Sequence, residues 1–404
     1  MDAATSSGGA FEPLRIAHFP KVYASGWIWA IGRWGMGFLG AYAVNDLTGS
    51  PRLVQLTGSM MWGPLLVAGL VGGTISDRFD RRRLVLVQLA ALTPLVVAIG
   101  LLALADRLEV WMIYPFMLAV GIGWIIDMTV RRALIFDLVG DAHINGAMAL
   151  EMLSSASGLA IGAAVGGTMV EVLGIGWAYL LVAAGLAIAF GLMWRVPSPP
   201  KAATADPVPF RRAVADGFRV LPSHPALVSI LGVTVVVDLF HFSYFPLITV
   251  VAANLDASAW QTGALAASSG AGMMLGSLWV AARRPHRGRA YVGGSGLACL
   301  LLVAVALSGH WLVALALLVG AGFSMGLFGA TQAALAITAT SPDMRGRAMG
   351  LLSMAIGALP VGMYALGELA EAVGANEALV AFNVFGLAAL VAWVLKRREV
   401  WHTE

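Results

Sequence analysis

The sequence predicts an all-α integral membrane protein with twelve transmembrane helices in two pseudo-symmetric six-helix bundles. Three observations carry this. Apolar residues make up 59% of the 404 and charged residues only 12%, with a mean hydropathy of +0.83; soluble domains run at about 45–50% and about 25%. A helix crossing the hydrocarbon needs about 20 apolar residues, so twelve need about 240, which is the size of the apolar fraction. Lys and Arg fall overwhelmingly on one side of the apolar runs.

The runs, separated by charged or Pro/Gly breaks, cover 22–45, 53–76, 84–104, 110–130, 146–173, 175–194, 226–252, 258–282, 290–308, 311–336, 346–372 and 376–395. They are far longer than the roughly ten-residue alternating strands of a membrane barrel. Residues 1–20 are too polar, and the first run too long, for a cleavable signal peptide. Of the 25 basic residues, 22 lie in the polar breaks on the side of the termini. Only Arg52 and Arg107 lie on the other side, and Arg33 is inside the first run. The positive-inside rule then places both termini in the cytoplasm and the protein in a cytoplasmic (inner) membrane. A Pro-rich, charged stretch at 195–225, with a short amphipathic helix near 209–220, separates an N-terminal bundle (1–194) from a C-terminal one (226–404). Secondary transporters commonly have such halves, with the site between them near mid-membrane.

Composition also excludes. A formal charge of +3 gives no reason to expect nucleic acid, and the single cysteine, Cys299, rules out disulfide frameworks and Cys-based metal sites. No ATP-binding motif, H-E-x-x-H or G-x-S-x-G is present. No cofactor and no metal are expected, and a membrane-embedded enzyme or sensor is the remote alternative.

The break after the second run reads Gly72-Gly73-Thr74-Ile75-Ser76-Asp77-Arg78-Phe79-Asp80-Arg81-Arg82-Arg83. This G-x-x-x-D-R-x-x-R-R pattern resembles the loop signature of the major facilitator superfamily, with Asp80 where Gly is usual. Asn45 to Pro51, Arg131-Arg132-Ala133-Leu134 and Asn145 to Leu150 resemble its enterobactin-exporter-like and drug-efflux branch. So does Gly158-x-x-x-Gly162-Ala163-x-x-Gly166-Gly167, although Ala163 replaces the usual Pro. Generic small-residue helix packing is the competing account of that last motif. The resemblance implies a conformational-switch loop of Gly73, Asp77, Arg78, Arg81 and Arg82. Asp77 would face the start of helix 11 near Arg345-Gly346-Arg347, and Arg81 would meet Asp127 low on helix 4. The second-half copy of the loop lacks the Asp, and Val110–Thr129 lacks the Arg of proton-coupled drug antiporters.

Ionisable residues inside membrane helices are costly and are functional candidates by default. Arg33 and Asp238 lie about mid-depth in the first and seventh runs; the resemblance implies that those two helices line the central cavity, so the two residues are expected to face each other, directly or through water. His241, three residues on, shares the Asp238 face and can exchange protons near neutral pH. A fixed charge pair that only positions helices is the competing account. Glu151 is a further cavity candidate, and Glu368 a gate or surface group. Trp27, Trp34, Trp124, Phe240, Tyr244, Phe323, Phe328 and Gln332 are expected to line an apolar cavity suited to an amphipathic solute. The expected activity is export of a small organic molecule, drug-like or siderophore, by alternating access. Protons, the lipid bilayer and the solute are the partners, and the protein is expected to act as a monomer. Import or facilitated passage of a metabolite is the alternative.

Overall fold

Helices dominate wherever the chain is described, which is residues 11–66, 80–198, 224–341 and 344–403 of this computed structural model. In chain order they are α1 (Phe19–Thr48), α2 (Pro51–Trp62), α3 (Arg81–Leu104), α4 (Val110–Gly140), α5 (Ala142–Leu173), α6 (Ile175–Trp194), α7 (Pro225–Ala253), α8 (Ala259–Arg283), α9 (Arg287–Ala306), α10 (Trp311–Thr338), α11 (Arg347–Val373) and α12 (Ala375–Lys396). Ten of them, α3 to α12, are long and apolar enough to span a membrane. Helix α1 has the length but carries Lys21, Arg33, Asn45 and Asp46 within it. The amphipathic helix expected near 209–220 lies outside the described residues.

Most helix ends agree with the apolar runs to within a few residues. The end expected for the second run at 76 lies outside the described residues, and the exception among the described ends is α4, expected to stop at 130. It continues to Gly140, so Arg131, Arg132 and Asp137 stand on the helix and not in a loop. Ion pairing permits this: each of these side chains meets an opposite charge within the bundle. The break comes at Gly140, whose φ of +64° a side-chain-bearing residue rarely adopts.

Three helices are irregular at mid-length: α11 breaks at Gly357–Ala358, and α4 and α7 carry π turns. In α4, Asp127–Arg131 form a π turn, and Thr129 Oγ1 donates back to Ile125 O at 2.8 Å. In α7, Val237–His241 form a π turn that leads into a 3₁₀ turn at Phe242–Tyr244 before the helix resumes at Ile248. Pro246 explains the break in α7, since it lacks an N–H and its ring opposes the carbonyl four residues back.

Within the first half, α1 packs on α5 and α6, α3 on α6, and α2 on α4. In the second, α8 packs on α10, α9 on α10 and α12, and α11 on α12. Across the halves, α5 meets α8 and α2 meets α11. The helix 5 glycines divide between these contacts. Gly158 and Gly162 sit on the α1 backbone and Gly166 on Phe38, whereas Gly167 faces Gly263 of α8. A Cβ on Gly162 would lie 2.5 Å from Ile31 O. Gly162→Val is therefore expected to cost about 1–3 kcal/mol through overpacking and to lower the thermal midpoint in detergent. Gly191→Ala, where nothing lies within 4 Å, should leave it unchanged.

Candidate functional site

The termini, the start of α1 and the end of α12 share one end of the molecule; the α1–α2, α5–α6, α7–α8 and α11–α12 turns lie at the far end. Among the described residues, the hydrogen bonds crossing between the halves lie in the far part of the helices. Gln55 donates to Ser243 O at 2.9 Å, Ser59 to Pro360 O at 3.1 Å and Asn45 to Thr249 O at 3.3 Å.

Beneath this seal lies an apolar cavity between the halves. Trp34, Phe38, Met61 and Trp62 line it from one side, and Phe245, Pro246 and Thr249 from the other. A second cavity lies nearer the start of α1 and, among the described residues, is lined by α1, α4 and α5. A chain of three indoles connects the two cavities. Trp34 and Trp62 of the upper cavity lie 6.0 Å apart, and Trp62 meets Trp124 of the lower one edge-on at 4.6 Å.

The lower cavity is lined by three guanidinium groups and two carboxylates. Arg131, 3% exposed, is bonded to Asp127 one turn back on the π turn and donates to Val22 O and Ser25 Oγ, both at 3.3 Å. Arg132 pairs with Glu151 at 3.3 Å. Arg33 remains. It faces Asp127 and Glu151 across the cavity but bonds to neither, and its Nη1 is buried without an acceptor. Its guanidinium lies instead over Trp34 at 4.3 Å and Trp124 at 4.9 Å. Two cation–π contacts of a desolvated arginine are worth up to about 2 kcal/mol each, which holds the charge in place without neutralising it.

This corrects the expected Arg33–Asp238 pairing: among the described residues no ion pair or hydrogen bond joins them. Asp238 and His241 lie together on the α7 π turn inside the other half. There Tyr291 Oη meets Thr234 Oγ1 at 2.7 Å and donates to Ile230 O at 3.0 Å, while Gln332 donates to Thr234 Oγ1 at 3.2 Å. Asp238 acts electrostatically on Tyr291, but its Oδ2 and both His241 nitrogens are buried without bonds. The π turn packs among helices of the second half.

The switch loop is also partly redrawn. Arg81 binds Asp137 at 2.6 Å and not Asp127, because Asp127 is taken by Arg131 and the extended α4 brings Asp137 beside the start of α3. Arg82 donates to Trp194 O at 2.7 Å. Gly73, Asp77 and Arg78 lie outside the described residues. Of the expected cavity side chains, Trp34 and Trp124 line the cavities. Trp27 is 39% exposed and donates to Ser157. The others pack within the second half: Phe240 on Phe382, Tyr244 bonded to Ser269, Phe323 on Trp279, Phe328 stacked on Tyr291. Asp137, Trp62 and Phe245 were not singled out from the sequence. Pro246 marked the α7 break that places Phe245, but nothing local marked the other two.

A midplane cavity between two six-helix bundles, sealed at one end, defines a secondary transporter. The family model described as Major Facilitator Superfamily matches residues 22–359, and the chain belongs to that family. Curated relatives include the enterobactin exporter EntS of Shigella flexneri, 26% identical over 350 residues, covering 85% of this chain and 80% of the relative. The protein of the same name in Escherichia coli O139:H28 is 26% identical over 352 residues with the same shares. Solved structures of the same fold include a bacterial homolog of the human lysosomal transporter Spinster, inward-facing and unoccupied (TM-score 0.74, 16% identity, 95% of this chain and 97% of that one). A point mutant of the nucleoside transporter NupG is another (TM-score 0.72, 12% identity, 94% and 99%).

Asp127→Ala leaves the buried Arg131 unpaired and should cost about 3–5 kcal/mol, read as a large fall in the denaturant midpoint. Asp137→Ala, whose partner Arg81 is 23% exposed, should cost less.

Proposed function

We propose that this protein exports a small amphipathic organic molecule bearing an acidic group, by proton-coupled alternating access across a bacterial inner membrane. The single observation that carries the reading is Arg33. In a cavity where the other charges are paired, it supplies one net positive charge, a free buried donor and a wall of indoles. A guanidinium so placed binds a carboxylate or phenolate, and the surrounding rings take the apolar body. The names of the curated relatives support siderophore or drug-like cargo.

The excess of Lys and Arg at the termini end supports a cytoplasmic position for both termini. With the far end sealed, the described state is then the one that loads from the cytoplasm. Asp238 and His241 take the proton-coupling role. They are buried titratable groups without fixed partners, in a helix broken at the level where the bundles rock. Cargo and proton thus occupy different halves, and the protein works as a monomer.

In proteoliposomes, Arg33→Gln should lower transport of an acidic aromatic solute at least tenfold. Arg33→Lys should recover only part, because an ammonium does not stack or fork as a guanidinium does. Enterobactin and an aromatic carboxylate should compete for the site, and the neutral amide of that carboxylate should not. Asp238→Asn should abolish the response of transport to a pH gradient while sparing substrate exchange. Competition by the amide equal to that of the acid sinks the acidic-cargo reading, and an intact pH response in Asp238→Asn sinks the coupling assignment.

A further inference from the structure

Residues 162–174 and 362–374 end α5 and α11 with one pattern, G-x-x-x-x-G-x-x-x-E-x-x-G, offset by 200 positions: Gly162, Gly167, Glu171 and Gly174 against Gly362, Gly367, Glu371 and Gly374. Each member has a matching contact. Gly162 meets Ile31 O of α1, and Gly362 meets Leu239 O of α7. Gly167 meets Ala259 O and Gly263 of α8, and Gly367 meets Gln55 and Arg52 of α2. Both helices stop at a glycine of positive φ, +86° and +99°.

The glutamates complete the match. Glu371 Oε2 accepts from Ser50 Oγ at 2.7 Å and from the backbone N–H of Arg52 at 3.2 Å. Glu171 Oε2 accepts from the backbone N–H of Trp260 at 3.4 Å. Ser50 is the N-cap of α2 and Ser258 that of α8, so both carboxylates reach the second amide of a helix. Each carboxylate belongs to one half, and the helix it caps belongs to the other.

We infer that Glu171 and Glu371 form a reciprocal latch that closes the far end of the transporter, and that both must let go for that end to open. A helix start presents unpaired N–H groups and a partial positive charge, which a carboxylate satisfies. The glycines one turn earlier bring the helix backbones close enough for a short side chain to reach. Both glutamates are exposed, so water solvates carboxylate and amides once they part. Such a contact holds weakly and reversibly, as a gate opened on every cycle requires. The inference rests on alternating access, not on the identity of the cargo.

The test is the distance between spin labels. One pair, Leu47→Cys and Leu307→Cys, spans the halves at the far end; the other, Arg83→Cys and Arg283→Cys, spans them at the termini end. All four positions are exposed, and native Cys299 is buried. With Glu171→Ala and Glu371→Ala combined, the far-end pair should gain a longer component, raising the open population at least threefold. The termini-end pair should gain a shorter one. Each single substitution should give an intermediate shift. Glu171→Gln with Glu371→Gln, which keeps the side-chain size and an acceptor but removes the charge, tests the same idea should the alanine protein fail to fold. Distance distributions superimposable on the parent in whichever folded double variant is measured would overturn the latch. The readout needs no substrate, so its failure leaves the export reading standing, and failure of acidic cargo to be transported leaves the latch standing.

Discussion

Charge inside a low-dielectric bundle has to be matched locally, and that constraint shapes the first half of this protein. Helix α4 carries Asp127, Arg131, Arg132 and Asp137 because each has a partner: one another, Glu151 or Arg81. Those pairs let the helix run ten residues past its apolar stretch. They also decide the character of the cavity beside it, since once they are formed the charge left over belongs to Arg33. In the second half the buried carboxylate is Asp238, which acts electrostatically on Tyr291 of a hydroxyl and amide network with Thr234 and Gln332 while its Oδ2 makes no bond. Two halves with one architecture thus offer unlike interiors.

Between them the surfaces in contact are built on glycine. Gly167 and Gly263 bring the backbones together at the α5–α8 crossing, while at α2–α11 Gly58 receives the Met363 side chain and Gly367 that of Gln55. The broken stretch of α7, ending at Pro246, lies beside these contacts and brings Phe245 and Thr249 to the cavity wall. Charge pairing, glycine contacts and a broken helix are separate devices, but all three meet around the same two cavities.

Most of the architecture was legible in the residues. Apolar run length gave helix number and order, because hydrocarbon thickness leaves little freedom. The Gly-rich stretch of α5 was read as a packing motif, although its division between α1 and α8 required three dimensions. The errors cluster where charge meets helix geometry. Depth and the family's cavity-lining helices match Arg33 with Asp238, but neither says on which side of its helix a residue at a π turn falls. The resemblance pairs Arg81 with Asp127; with α4 extended to Gly140, Asp137 is the acid it meets. Aromatics such as Phe240, Phe323 and Phe328 were placed in the cavity by helix membership, yet each found a ring on a neighbouring helix of its own half. The reciprocal glutamates went unread because neither α5 nor α11 shows a reason for the acid until the opposing helix start is in place.

Helix α1 has a consequence for how the protein is made. It precedes the other eleven helices in the chain, yet it is not among the ten helices apolar enough to span on composition, and it carries Arg33 near its middle. Its stable place depends on the backbones of α5 and α6 and on the indole of Trp124, all of which emerge later. The segment that lines both cavities is therefore one that leans on its neighbours to hold its place in the membrane, and its final seating comes only when most of the first half has been translated.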